Sequence, residues 1–213
     1  MYHSSNAHLR IKPWRTRSRV VVTASTAMLV ALTSGAWASD PAGQVEQVRG
    51  EAVAETQGTQ RPLLQSEQVF VGDLVRTGEN ARLGLRLGKA TTVKLGALTR
   101  LKIDRYIVDA GGEFDLGSGS VQFEGASKSH TPDLKFKSVY GLIAVRGTRF
   151  YAGMSRGKFG VLVGKGRVAV TAGGRTVIVG PRQGTDIAAP GARPSTPKRW
   201  ANRRIADMVT RFR

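Results

Sequence analysis

Residues 138–153 read SVYGLIAVRGTRFYAG, an apolar strand that is interrupted by Arg146, Gly147 and Thr148 and resumes at Phe150. An arginine inside a buried strand needs polar partners, and a glycine there weakens the strand unless two backbones approach closely. We expect Gly147 to allow such an approach and Thr148 to bond a neighbouring main-chain group. Arg146 would then reach a carboxylate or several carbonyls, so the pattern favours a structural role over ligand contact.

Short alternating segments surround this stretch from residue 44 to about residue 188. In RLGLRLG the apolar residues Leu83, Leu85 and Leu87 alternate with arginine or glycine. A similar alternation recurs in TTVKLG, GSVQFEG and RTVIVGP. Short strands separated by about eight to twelve residues are typical of an all-β sandwich, barrel or solenoid. TAGGRT, at residues 171–176, predicts a tight hairpin turn.

The composition allows one sizeable hydrophobic core and excludes cysteine chemistry. The chain has 213 residues, of which 40% are hydrophobic, and it contains no cysteine. It therefore has no disulfide, no thiolate metal site and no cysteine nucleophile. Its 33 basic and 15 acidic residues give a formal charge of +18, which in a cytoplasmic protein would first indicate nucleic-acid binding.

The N-terminus predicts export instead. Five basic residues and no acidic one precede the apolar stretch VVVTASTAMLVALTSGAWA, which ends with Ala36 and Ala38. This is the layout of a secretory signal peptide over residues 1–38, with cleavage after Ala38 and a mature chain from Ser39. Residues 1–19 contain no adjacent arginine pair, so the general secretory route is favoured over the twin-arginine route. The alternative is an uncleaved inner-membrane anchor, because residues 20–38 are nearly long enough to span a bilayer.

The basic surface survives this cleavage, because loss of the five leading charges leaves 28 of the 33 basic residues against 15 acidic ones, or +13. In the periplasm or outside the cell, its expected partners are envelope anions: lipopolysaccharide, anionic lipid, wall polymers or an acidic protein surface. The sequence predicts no nucleic-acid partner.

After Pro190 the composition changes, and residues 190–213 are predicted to be a proline-punctuated linker followed by a basic amphipathic helix. The helix, from Trp200 onward, has apolar residues at helical spacing, and two interpretations are open: it lies on an anionic membrane or partner, or it packs on its own domain. For the first interpretation, the predicted anion or membrane contacts are Lys198, Arg199, Trp200, Arg203, Arg204 and Arg211.

A search for catalytic chemistry finds no candidate catalytic, cofactor or metal site. His130 is the single histidine of the predicted mature chain, and the acidic residues are scattered singly. GKGRVA, starting at Gly164, imitates a dinucleotide-binding fingerprint but lies between two short strands instead of opening a helix. The sequence therefore predicts a protein that is not an enzyme and binds no cofactor, with a glycosidase-like or metal site as the weaker alternative.

Three segments together resemble the FecR domain in the order that this family uses: VGDLVRTGENARLGLRLGKATTVKLGALTRLKI, then SVYGLIAVRGTRFYAG, then VLVGKGRVAV. The resemblance covers roughly residues 44–188, and its most specific part is the Arg-Gly-Thr segment. The matching positions are Gly72, Asp73, Arg76, Thr77, Gly78, Val93, Leu95, Val145, Arg146, Gly147, Thr148, Phe150, Gly164, Gly166 and Val168.

The resemblance implies a compact β-roll or β-helix-like domain of many short strands, spanning residues 39–189. In the best-known FecR proteins, this domain relays the state of an outer-membrane transporter to a cytoplasmic sigma factor through an anti-sigma domain ahead of a membrane span. About 19 residues precede the apolar stretch here, so we expect the FecR part alone, without that cytoplasmic domain.

Two functions follow as hypotheses. The first is a periplasmic adaptor or sensing module in envelope signalling, whose partner is an unidentified envelope protein such as a membrane-bound regulator or transporter. The second is a basic protein that binds cell wall, lipid or lipopolysaccharide surfaces through its charge. An enzyme is the weakest class.

Overall fold

A computed structural model of the protein describes residue 1 and residues 40–88, 91–107, 111–125 and 133–213, apart from the side chains of Asp133 and Arg146. The predicted signal peptide, except for Met1, and His130 lie outside the described residues. The chain divides into two compact units, Met1–Trp37 and Ala38–Arg213, and all the elements named below belong to the second.

The described residues form sixteen β-strands followed by one short helix. In chain order the elements are β1 (Pro41–Arg49), β2 (Ala52–Thr56), β3 (Thr59–Pro62), β4 (Gln68–Phe70), β5 (Leu74–Thr77), β6 (Arg82–Leu87), β7 (Thr91–Leu95), β8 (Arg100–Ile107), β9 (Gly111–Ser118), β10 (Ser120–Glu124), β11 (Asp133–Ser138), β12 (Gly141–Ser155), β13 (Lys158–Ala172), β14 (Arg175–Val179), β15 (Gln183–Ile187), β16 (Lys198–Arg199) and α1 (Asn202–Val209), which continues as a 3₁₀ turn over Thr210–Phe212. The predicted all-β class with a short C-terminal helix is confirmed.

All sixteen strands belong to one sheet. Its main path runs β3-β2-β5-β8-β9-β11-β12-β10-β7-β6-β1-β4, and β12 also pairs with β13, which carries β14 and β15. Every recorded strand pair among the described residues is antiparallel except β9 with β11. The sheet is therefore a roll built mainly from antiparallel neighbours, and the parallel pairing of a β-helix is limited to that one pair.

The longest elements, β12 and β13, form a hairpin of two 15-residue strands joined through Arg156 and Gly157. Along β12 the neighbour on the other side changes: Leu134 of β11 pairs with Val145, whereas Phe123 of β10 pairs with Phe150. Along β13 the neighbour changes from β15, which pairs with residues 159–162, to β14, which pairs with residues 168–172. Both strands therefore change their second pairing partner at the same point along the hairpin.

The exchange point coincides with the Arg-Gly-Thr segment. The register of β12 on β13 shifts between Arg146 and Arg149 and again before Phe150, as in a β-bulge. Gly147 there has φ +61°, and the facing strand has φ +80° at Gly166. Both are left-handed conformations that favour glycine, so we call this region, residues 146–149 with 164–166, the corner of the hairpin.

The hairpin folds back at this corner. Tyr140, just before β12, stacks on Phe159 with ring centroids 4.8 Å apart and planes at 6°. Phe159 pairs near the far end of β12, opposite Met154, so a straight hairpin would separate the two rings by roughly 45 Å. Their contact requires the two halves of the hairpin to face each other.

A single core lies between the two halves, since one cluster of buried apolar residues includes members from β1 through β15. At its centre Phe150 contacts Phe123 of β10 at 5.6 Å and Phe136 of β11 at 5.2 Å between ring centroids. Phe114 of β9 stacks on Phe136 at 4.9 Å. The residue that follows the corner therefore joins the rings contributed by the two successive neighbours of β12.

The predicted turn at residues 171–176 is confirmed. Gly173 and Gly174 connect β13 to β14 with φ +51° and +72°, the pair of positive values that a two-residue type I′ turn requires.

A substitution at the corner tests its tight packing. A Cβ at Gly166 would lie 2.5 Å from Thr148 Cγ2 and 3.0 Å from the Gly147 carbonyl oxygen, whereas a Cβ at Gly174 would have no heavy atom within 4 Å. Both positions impose the left-handed strain of about 1 kcal/mol on alanine. Gly166→Ala should lose a further ~1–3 kcal/mol of unfolding free energy through overlap. Urea titrations of Gly166→Ala and the control Gly174→Ala measure the difference, and equal losses would contradict a tightly packed corner.

Candidate functional site

The Arg-Gly-Thr segment is built into the fold. Thr148 is 1% exposed, and its carbonyl accepts a hydrogen bond from the Gly125 N–H at 3.0 Å. The hydrogen bond expected from its hydroxyl is absent among the described residues. The side chain instead places its methyl group against Gly166, because the two strands approach too closely there for a larger residue. The Arg146 side chain lies outside the description, so its role stays a prediction.

The Gly-Asp pair of the family pattern forms a structural junction between three strands. Asp73 is fully buried, and its carboxylate accepts hydrogen bonds from the Phe70 N–H at 2.9 Å, the Thr56 hydroxyl and the Arg61 guanidinium. Gly72, at φ +95°, makes the turn that brings the carboxylate to these donors. The Asp73 carboxylate is therefore engaged within the protein itself.

Thr77 and Gly78 have a similar structural role. The buried Thr77 hydroxyl donates to the Gly96 carbonyl at 2.6 Å and accepts from the Thr99 N–H at 2.9 Å. The Gly78 N–H donates to the Glu51 carbonyl at 2.9 Å. These hydrogen bonds join the ends of β5, β7 and β8, so the residues shared with the family pattern stabilise turns.

The C-terminal segment, residues 200–213, packs on the rest of its domain. Trp200 is 3% exposed and covers Gly160 and Gly184, where a Cβ would lie 2.8 Å and 2.3 Å from the indole. Met208 and Phe212 join the same cluster, together with Tyr151 and Leu162 on the outer face of β12 and β13. No helix of the described residues has the length and hydropathy of a membrane span.

A partly buried ion pair fixes this segment. The Arg204 guanidinium forms a two-point contact with the Asp186 carboxylate, with Nη1 to Oδ2 at 2.9 Å, and its Nε donates to Ser155 Oγ at 3.3 Å. Its Cζ lies 3.4 Å from the centroid of the Trp200 ring. Trp200 and Arg204, two of the predicted anion or membrane contacts, are therefore engaged inside the fold, and a contact of either with an anion stays a prediction.

The other predicted contact residues are more accessible. Lys198, Arg199 and Arg203 are exposed, and Arg211 is half-buried with a hydrogen bond to the Met154 carbonyl. Their contact with an anionic surface stays a prediction.

A groove of about 400 Å³ separates α1 from the sheet at the corner. Its apolar wall includes Ile205 and Val209, Tyr151 lies at its base, and Arg182 and Arg213 are at its rim. Burial raises the pKa of the Tyr151 hydroxyl, against the opposing effect of nearby Arg149. Among the described residues, no three His, Cys, Asp or Glu side chains converge to hold a metal ion.

Comparison with known proteins identifies the domain. Residues 73–169 match the family model of the FecR protein. The chain carries a FecR domain. The matched range begins at Asp73 and ends at Ala169, so the FecR model includes the whole corner and most of the β12–β13 hairpin.

The fold that contains this FecR domain also occurs in solved structures. Two crystal structures of a candidate anti-sigma factor from Parabacteroides distasonis ATCC 8503 superpose with a TM-score of 0.54 and 13% sequence identity. The alignments cover 64% of this chain and span 64% and 63% of those chains, slightly less than two thirds of their length. At this identity the likeness shows a shared fold. No curated protein matches the sequence.

Sequence reasoning missed several residues that organise these regions. Asp186 and Arg61 were not singled out, because each forms its ion pair with a residue distant along the chain. The one available signal for the Trp200 site was a glycine inside each of two strands, Gly160 in β13 and Gly184 in β15.

Loss of the partly buried ion pair should release the C-terminal segment. Arg204→Ala leaves the partly buried Asp186 carboxylate without its partner and should lower the unfolding free energy by about 1–3 kcal/mol. The exposed neighbour Arg203→Ala should change it by less than about 0.5 kcal/mol. Hydrogen exchange should show faster exchange of the α1 amides in Arg204→Ala only, and equal protection in both variants would contradict this role.

The buried Tyr151 hydroxyl predicts a pH dependence. Because the pKa of the Tyr151 hydroxyl is raised above the ordinary 10.0 in the folded state, the unfolded chain loses this proton at a lower pH than the folded chain does. The free energy of unfolding therefore decreases as the pH rises above 10. Tyr151→Phe has no hydroxyl proton and lacks this decrease. Urea titrations at neutral pH and at about pH 11 should show a smaller alkaline loss for Tyr151→Phe than for the wild type, and equal losses would refute the assignment.

Proposed function

We propose that the protein is an exported FecR-domain adaptor that takes part in cell-envelope signalling by binding another envelope protein in the periplasm, without catalysing a reaction. The FecR match at residues 73–169 carries the proposal, since it supports a regulatory role. The signal-peptide pattern of residues 1–38 supports export.

The arrangement of the polar groups agrees with binding rather than chemistry. Asp73 and Thr77, which match the family pattern, are occupied by hydrogen bonds that hold turns together. Among the described side chains, the corner places no nucleophile in contact with a general base. The domain therefore serves as a rigid scaffold, and its surface is the part available to partners.

A second candidate is binding to anionic lipid, lipopolysaccharide or wall polymer. The exposed side chains of Lys198, Arg199 and Arg203 favour it, since none of them joins an ion pair among the described residues. The burial of Trp200 removes the aromatic group that would have inserted into a membrane.

Salt dependence separates these two functions. The tagged full chain is expressed in a diderm bacterium, crosslinked in intact envelopes and recovered at low and high salt, and proteins, lipids and glycans are identified together. The matched control carries Lys198→Gln, Arg199→Gln and Arg203→Gln. N-terminal sequencing of the recovered chain tests cleavage before Ser39.

An adaptor should retain one envelope protein at high salt, and the control variant should retain it equally, because a protein interface depends little on bulk charge. Recovery of lipopolysaccharide or wall fragments at low salt alone, lost in the control variant, would replace the adaptor by the surface binder. A chain that stays in the cytoplasm would overturn both proposals.

A further inference from the structure

The two halves of the folded hairpin differ in how their outer faces are covered. The first half of the hairpin lies between the corner and the Arg156–Gly157 turn. Its outward-facing residues Tyr151 of β12 and Leu162 of β13 lie under Trp200 and α1. The second half lies on the other side of the corner, and its outer face carries Ala144, Ala169 and Ile178 in one row across β12, β13 and β14. Ile178 is 58% exposed, so no described element covers this second face.

The row forms a shallow apolar groove. Cross-strand pairing aligns Lys135 with Ala144, Ala144 with Ala169, and Ala169 with Ile178. The two small alanines leave a depression of about 560 Å³, which Ile178 closes on the β14 side. A single exposed isoleucine is common on protein surfaces, but Ile178 borders a depression that is also lined by Ala144 and Ala169.

The groove ends at an open strand edge. Within the described part of the chain, β14 pairs with β13 alone, so alternate residues of Arg175–Val179 direct their N–H and C=O groups away from the sheet. The strand contains no proline, no lysine and no bulge, the features by which proteins commonly block such an edge. An extended segment can therefore hydrogen-bond to β14 and continue the sheet.

Charge selects the chemistry of that segment. Arg175 lies at one end of β14, and Arg167 and Lys135 flank the apolar row, all three exposed. None of the ion pairs among the described residues includes these three side chains. A second copy of this chain would bring the same cations together, so like-charge repulsion disfavours it. An acidic segment is complementary.

We propose that the β14 edge and the Ala144–Ala169–Ile178 row bind an extended acidic segment of another envelope protein as an added antiparallel strand. An apolar side chain of the segment covers Ile178, and an acidic side chain on the same face of the segment meets Arg167, which lies on the face of Ala169. The proposal rests on the adaptor function proposed above and names the surface that the adaptor uses.

A synthetic strand tests this directly. The probe is a fluorescein-labelled peptide of sequence Glu-Thr-Val-Thr-Val-Thr-Glu, and its binding to the full mature chain is followed by fluorescence anisotropy. One control peptide has lysine at both ends, and another is N-methylated at alternate amides, which removes strand hydrogen bonds. Ile178→Lys is compared with Leu64→Lys, whose native side chain is similarly exposed, at 61%, away from this face.

The acidic peptide should bind and slow hydrogen exchange at the β14 amides. Ile178→Lys should weaken binding by about tenfold or more, because the loss of the apolar contact with Ile178 outweighs the weak attraction between one exposed lysine and the acidic peptide. Both control peptides should also bind more weakly than the acidic one, whereas Leu64→Lys should bind it as the wild type does. Equal binding of the N-methylated peptide, or an unchanged Kd for Ile178→Lys, would overturn the proposal. So would a dimer in sedimentation that Ile178→Lys dissociates, since a second copy would then occupy the edge.

The envelope crosslinking experiment distinguishes this failure from failure of the adaptor function. A salt-resistant protein that Ile178→Lys still captures would keep the adaptor function and reject this surface. Peptide binding with the expected variant effects, but no captured protein, would keep the strand-binding surface and reject the adaptor function.

Discussion

The structure depends on the corner of the β12–β13 hairpin, where Gly147 and Gly166 adopt left-handed conformations on facing strands. There the two strands bend together and approach closely enough for Thr148 to fill the space beside Gly166. Without this bend, a hairpin of two 15-residue strands could belong to only one flat layer. With it, the same hairpin supplies both walls of the core, and Phe150 joins the aromatic rings of its two successive neighbours.

The corner also determines which surfaces are free. Each half of the hairpin turns one face toward the core and one face outward. The C-terminal segment covers the outer face of the half next to the Arg156–Gly157 turn, where Arg204 and Asp186 hold Trp200 against two glycines. The outer face of the other half ends at β14, and no described element covers it. The residues of the FecR pattern thus stabilise the scaffold, and the partner surface proposed above is formed by other residues.

The sequence predicted local features well and distant contacts poorly. Alternation and turn chemistry indicated the all-β class, the Gly173–Gly174 turn and the C-terminal helix, because each depends on a few adjacent residues. The burial of Trp200 was not predictable, since its cover arises from Gly160 and Gly184 on two separate strands and from Asp186, whose pairing with Arg204 is tertiary. The change of neighbours at the corner likewise depends on the whole sheet.

The distance between the two ends of the folded hairpin tests this account most directly. The chain has no cysteine, so Val139→Cys and Lys158→Cys place single spin labels beside Tyr140 and Phe159 without further changes. A straight hairpin would hold the labels roughly 50 Å apart, because Lys158 pairs with Ser155, sixteen residues after Val139. We expect the electron–electron distance to be less than half of that, because Tyr140 and Phe159 stack at 4.8 Å. A distance near the straight-hairpin value would show that the corner does not fold the hairpin back.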